Sequence, residues 1–369
     1  MSNESKGSSI IAALPASEWS LERQCKLIGE YYVSQWGCLQ LLITREKGGD
    51  ALAQAKARVL RRHQRHHFLP GVDKLGIGRD LPPAVIAARY HYFSNILGGI
   101  KMEYIEESPK KVWIRYRAPS FSFTGVSLAA VSSKVQRSMF SGWHPFNGES
   151  LGCPNLGFVV TKVFQDGEPY DEGYFEEFDQ PLHADERIQY KPVLSSPDFD
   201  AEKAPKLDDA KWPLERQWKA HRNFTRGFQD DTLRTCMELY GVHDTAHYYA
   251  AAQRIFSIQF HDYYVNLFGI DGNKAIDFAR LNAHISEMAN ELPTVREIVP
   301  GKYEFRRLNR LCSGEQVPIE LYRAGFASIE MSAKIMSARI KVELQSVETE
   351  PGVGAYETWS IEDTRERLF

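Results

Sequence analysis

Apolar positions in the first fifty residues recur at helical spacing. Within ERQCKLIGEYYVSQWGCLQLLITRE, the residues Leu27, Tyr31, Gly37, Cys38, Leu41 and Leu42 mark one face of an amphipathic helix. Gly48 and Gly49 interrupt that pattern, and Asp50 then stands as the candidate N-cap of a second helix, GGDALAQAKARVLRRHQRHHF. A third helical stretch, PPAVIAARYHYFSNILGG, opens on prolines and closes on glycines, the asymmetry expected of helix ends. The period then falls to two. In KKVWIRYR, Val112, Ile114 and Tyr116 alternate with Lys111, Trp113, Arg115 and Arg117, which predicts a strand with one apolar and one charged face. A further helical stretch, VSLAAVSSKVQ, and two strands, GFVVTKVF and GYFEEF, complete the series.

The whole series is written twice. WSLERQCK at residues 19–26 returns as WPLERQWK at 212–219, an offset of 193 (212 − 19) that also relates Gly48 to Gly241, Ala53 to Ala246 and Arg61 to Arg254. The offset then becomes 191 and relates Arg89 to Arg280, Pro109 to Pro300, Lys111 to Lys302 and Arg115 to Arg306. Two long segments in constant register indicate a tandem duplication of domain length, not a short-period solenoid. The second copy continues with a helical IELYRAGFASIEMSAKIM and the strands SARIKVEL and AYETWSI. Three helices followed by β-β-α-β-β predict an α+β fold of two tandem repeats, each with a small antiparallel sheet and a packing helix. The first repeat covers residues 15–180 and the second 212–365. Residues 181–211 between them, rich in proline and charge, read as an extended, solvated connector. Each repeat alone has a modest core, so the two are expected to pack as an intramolecular pseudo-dimer.

Several motifs carry a resemblance: Glu107-Ser108-Pro109 leading into KKVWIRYR, Gly325-Phe326-Ala327 in a helix, and Trp359 near the end. In this order of elements the chain resembles the L-2-amino-thiazoline-4-carboxylic acid hydrolase family, each repeat matching one family-length unit. The resemblance implies hydrolytic opening of a small ring containing nitrogen and sulfur. The second repeat departs from the family's cysteine-bearing tail, with Tyr356 and Thr358 in that stretch, and the first departs by an insertion.

Composition narrows the classes of partner. A net charge of −3 and a pI near 6.4 give no bulk attraction to nucleic acid or anionic membrane. No run approaches a membrane span, and the N-terminal IIAAL is too short for a signal-peptide core. Five cysteines form no CxxC pair, which points to a reducing, cytoplasmic setting. The basic run RVLRRHQRHHF lacks interleaved aromatics, so it suits a subunit contact, as in a homo-oligomer, or an anionic ligand better than nucleic acid. The expected partner is a small-molecule substrate.

Candidate chemistry collects where the first repeat differs from the second. Residues 137–155, RSMFSGWHPFNGESLGCPN, read as an inserted loop. Trp143, Phe146 and Leu151 would anchor it, leaving His144 and Glu149 as candidate acid and base, Cys153 or Ser150 as nucleophile, and Asn147, with Trp143, as substrate-binding groups. GESLG matches the G-x-S-x-G pattern but lacks a preceding strand. Arg115 and Lys162 are candidate anchors for a substrate carboxylate. Asp171 and Glu172 read as the rim of a solvated hairpin turn, where they could also meet a metal or a cationic substrate group. Two histidine pairs at i, i+4 spacing, His63 with His67 and His243 with His247, each put two imidazoles on one helix face. Arg61, Arg62 and Arg65 crowd the first pair, so His243 and His247 are the preferred ligands for a divalent metal cofactor, with His261 and His284 as further donors. The leading expectation is a hydrolase that opens a small cyclic amide- or imine-type C–N bond in the first repeat. The rival is a non-catalytic small-ligand-binding or scaffold protein derived from a duplicated hydrolase fold.

Overall fold

The computed structural model describes residues 18–117, 132–193, 195–311, 317–350 and 352–369. The apolar run at residues 10–14 and the first part of the helix expected over 126–136 lie outside them. The first series of elements is α1 (Leu21–Lys47), α2 (Gly49–Leu75), α3 (Pro83–Leu97), β1 (Met102–Ser108), β2 (Lys111–Arg117), α4 (Ser133–Trp143), α5 (Asn147–Leu151), β3 (Leu156–Lys162), β4 (Tyr170–Glu177) and β5 (Ile188–Tyr190). The second is α6 (Leu214–Leu267), α7 (Ala275–Met288), β6 (Thr294–Val299), β7 (Lys302–Asn309), α8 (Ile319–Gly325), α9 (Ala327–Met336), β8 (Ile340–Glu350) and β9 (Gly354–Asp363). This is an α+β fold with two sheets, ordered β1-β2-β4-β3-β5 and β6-β7-β9-β8. All neighbours are antiparallel except β3 and β5.

The two series share irregularities as well as order. Gly48 separates α1 from α2 with φ 90° and ψ 164°, and Gly241 breaks α6 with φ 83° and ψ 168°. Only glycine enters that region without strain, so the chain turns the same corner at both positions. The register shift between Glu106 and Ser108 recurs between Glu297 and Val299, at the offset of 191.

The chain forms two compact units that do not follow the copy boundaries. One is residues 40–239, called here the central unit. The other, the terminal unit, joins residues 18–39 to 240–369. Each unit therefore takes its leading helical segment from the other copy.

Three local expectations change. Gly48, not Asp50, caps α2, and the exposed Asp50 pairs with Lys134 at 2.6 Å. Residues 137–155 are not an irregular loop. They continue α4, pass through a 3₁₀ turn at His144–Phe146 and form α5 before β3. Ser132 accepts a hydrogen bond from the Val135 N–H and starts α4, and Gly152, with φ 68°, ends α5. The connector is not wholly solvated, because Ile188–Tyr190 adds the parallel edge strand β5.

Helices α2 and α4 meet closely at Gly142, where an added Cβ would lie 2.6 Å from the Ala57 carbonyl oxygen and 2.9 Å from Ala57 Cα. Backbone cannot yield as a side chain does. Gly142→Ala is expected to cost about 1–3 kcal/mol, the usual scale of overpacking, read as a lowered urea midpoint. An unchanged midpoint would contradict this packing.

Candidate functional site

A pocket opens inside the central unit, enclosing about 540 Å³ of space between atoms, part of it continuous with solvent. Helix α3 contributes Tyr90, His91, Ser94 and Asn95, and α4 contributes Gln136, Met139, Phe140 and Trp143. Tyr116 of β2 and Asp171 of β4 form the sheet wall. His63 of α2 and Phe224 and Phe228 of α6 complete the lining with Leu60 and His144.

Its inner wall is a directed chain of hydrogen bonds. His144 Nδ1 lies 3.2 Å from the Phe140 carbonyl, so that nitrogen carries the proton and Nε2 accepts from the Tyr116 hydroxyl at 3.0 Å. The Asn147 amide nitrogen lies 3.0 Å from His91 Nε2, which leaves His91 Nδ1–H to face Tyr116 Oη at 3.4 Å. The two imidazoles stack with centroids 4.3 Å apart. Burial pushes His144 down to about 3 and His91 well below the usual histidine range, the latter aided by His144. Burial, with Asp171 adding to it, holds the Tyr116 phenol well above its usual value. All three rings are therefore neutral at pH 7.

Asp171 is an engaged wall group, not a free charge. Its Oδ1 accepts from the Phe164 N–H at 2.8 Å and its Oδ2 from the Gln136 amide at 2.6 Å. Two other lining residues each carry a buried atom with no hydrogen-bond partner among the described residues: Trp143 Nε1 and Gln136 Oε1. Their residues are 7% and 2% exposed, so one buried donor and one buried acceptor are left over beside the pocket. Native interiors rarely leave such groups unmade, since each costs roughly 1–3 kcal/mol.

Of the residues singled out in the sequence, His63, Trp143, His144 and Asp171 meet in this pocket, and Asn147 supports it through His91. The others do not converge there. Glu149 points away to Arg61 at 3.3 Å and Arg187 at 2.5 Å. The Cys153 thiol donates to Asn155 at 3.1 Å, and burial, with Glu177 adding to it, pushes its pKa up, so it is not a thiolate. Ser150 sits within α5 and accepts from Gln64 at 2.8 Å, with no strand before it. Asp171 and Glu172 are fully buried within β4 and not at a turn.

Arg115 and Lys162 are committed elsewhere. Arg115 follows the alternation away from Tyr116, yet it is buried and holds Glu172 at 2.5 Å and Glu103 at 2.9 Å. Lys162 lies 3.3 Å from Glu172. Burial alone would raise the Glu172 carboxyl, but hydrogen bonds from Arg115, Ser196 and Thr161 and the Arg115 charge outweigh it and hold the pKa below the usual range.

His243 and His247 are exposed on α6, with no third donor close by among the described residues. His261 instead bonds Ser332 at 2.7 Å, and His284 stacks on Phe268 at 4.8 Å. The described group of donors that does converge is His63, His67 and Asp231, whose ligand atoms all lie within 4.8 Å of one another.

The terminal unit carries a counterpart pocket with different chemistry. Phe224 and Tyr31 line the two pockets at the offset of 193, and His91 and Asn282 at 191. Arg307 stands where Tyr116 stands, and Glu357, its partner across the strands, where Asp171 does. Arg307 and Glu357 form a buried ion pair at 2.9 Å. His91, Tyr116 and Gln136 were missed in the sequence because all three sit on apolar faces. The change from His91 to Asn282 and from Tyr116 to Arg307 in an otherwise constant register was the available signal.

No protein-family model and no curated protein matches the chain. Solved structures of H-NOX domains are slightly similar. One, described for the molecular mechanism of H-NOX activation, is 13% identical with a TM-score of 0.29, over 38% of this chain and 74% of its own. An oxygen-binding H-NOX domain related to soluble guanylate cyclases is 14% identical with a TM-score of 0.27, over 39% and 73%. Likenesses this slight carry no inference about this chain.

Proposed function

We propose that the central unit binds a small, flat, uncharged molecule that offers an acceptor to Trp143 Nε1–H and a donor to Gln136 Oε1. A cyclic amide or related ring, with both groups on one small frame, fits that demand. The observation that carries this reading is the pair of buried, unpartnered polar atoms beside an aromatic-lined pocket. The neutral state of His91, Tyr116 and His144 supports it, because nothing among them compensates a buried charge. The aromatic lining suits a flat ring.

A second reading adds turnover in the same pocket: ring-opening hydrolysis of the bound amide. The Tyr116–His144 hydroxyl–imidazole pair favours it as a route for moving a proton. His144, pushed down to about 3, is a weak base at neutral pH, so binding without turnover is the stronger conclusion.

Calorimetric titration with uncharged lactams and cyclic ureas, and with carboxylate-bearing analogues, tests both. The uncharged rings are expected to bind and the charged ones not. Trp143→Phe, which keeps the ring and loses the N–H, should weaken binding by about tenfold, the scale of one hydrogen bond. Equal binding of charged analogues, or a Trp143→Phe variant that binds as the parent does, would contradict the proposal. Release of ring-opened product would select the hydrolytic reading.

A further inference from the structure

We propose that His63, His67 and Asp231 form a three-ligand site for one divalent transition-metal ion of the zinc type at the edge of the pocket. The inference stands apart from the ligand reading above, since it concerns different atoms. His63 and His67 are one turn apart on α2, and their rings lie 4.2 Å centroid to centroid. Asp231 comes from the first segment of α6, within the same unit, and its Oδ2 lies 2.9 Å from His63 Nδ1. Asp231 is 5% exposed.

Two imidazoles and a carboxylate are a donor set that suits zinc, iron, cobalt or manganese. Side-chain rotations would bring these atoms to bonds of roughly 2.0–2.2 Å with one shared ion, and three protein ligands leave a coordination position open. The supporting shell is in place. Arg234 Nη1 holds the other Asp231 oxygen at 3.3 Å, and the His63 ring stacks on Phe228 at 4.4 Å. The His67 ring makes no hydrogen bond among the described residues. Of the three arginines that crowd this helix in the sequence, Arg61 pairs with Glu149 and Arg62 with Glu238, and Arg65 is exposed to solvent. His63 also lines the pocket, so an ion held here would border whatever the pocket binds.

The test is titration of the metal-free 369-residue chain with cobalt(II) alone, followed by its visible absorption, and then displacement by zinc(II). One cobalt per chain is expected, displaced by one zinc. His67→Ala and Asp231→Asn should each weaken binding by roughly 100-fold or more, beyond the roughly 10–100-fold lost when a group that only hydrogen-bonds a ligand is removed. A His243→Ala/His247→Ala double variant should bind as the parent does. His67 is exposed, so His67→Ala decides the matter even where Asp231→Asn folds poorly. Absence of stoichiometric binding, unchanged binding in His67→Ala, or loss in the His243/His247 variant would each overturn the proposal and leave His63–Asp231 as a simple hydrogen-bonded pair.

Discussion

Acidification from pH 6.5 to about 3 is expected to remove on the order of 4–5 kcal/mol of stability through His144 alone. The unfolded chain takes up the imidazole proton near pH 6.5, whereas the folded chain resists it until about 3. Between those values the unfolded state binds more protons, so stability is full above pH 6.5 and falls as the pH falls. His91, shifted in the same direction, adds to the loss. Urea midpoints of the parent and of His144→Gln at pH 7, 5.5 and 4.5 check this. The variant should be less stable at pH 7 but lose less on acidification. Parallel pH profiles would show that His144 is not held neutral by the fold.

Removal of one partner from the buried ion cluster should be the most damaging single change on the other face of the same sheet. Glu172→Ala leaves the Arg115 guanidinium buried, with Glu103 as its remaining carboxylate, and is expected to cost about 3–5 kcal/mol. A paired Arg115→Met/Glu172→Leu replacement should recover much of that loss, because neither charge then stays buried alone. Chemical denaturation of the single and double variants measures both. A single variant within 1 kcal/mol of the parent, on the scale of an exposed pair, would contradict this picture.

The fold could be read from periodicity because its elements bury one face each and its breaks need particular residues. Gly48 and Gly241 mark the same corner, and the alternation in KKVWIRYR placed Tyr116 on the inward face. The helical character of residues 137–155 was hidden by Gly142, Pro145, Gly148 and Gly152, which read as loop punctuation. Gly142 instead permits the close approach to Ala57, and Gly152 ends α5. The candidate site was only partly visible for a related reason. His144 and Trp143 stood out as polar and aromatic residues in a presumed loop, whereas His91 and Gln136 sat within buried helix faces and Phe224 and Phe228 came from the other copy's leading segment. Exchange of those segments between units is a long-range packing outcome that no local pattern reports. Glu149 and Cys153 had suitable chemistry and the wrong direction, which spacing alone could not distinguish.

The claim that the pocket meets its ligand through the Trp143 indole is tested most directly by the ¹H–¹⁵N resonance of that indole N–H, assigned by its absence in Trp143→Phe. On titration with an uncharged cyclic amide it should move downfield and saturate with the same midpoint as the calorimetric isotherm, as expected when an unpartnered N–H gains an acceptor. An indole signal that stays fixed while the same ligand binds would place the ligand elsewhere and refute the site.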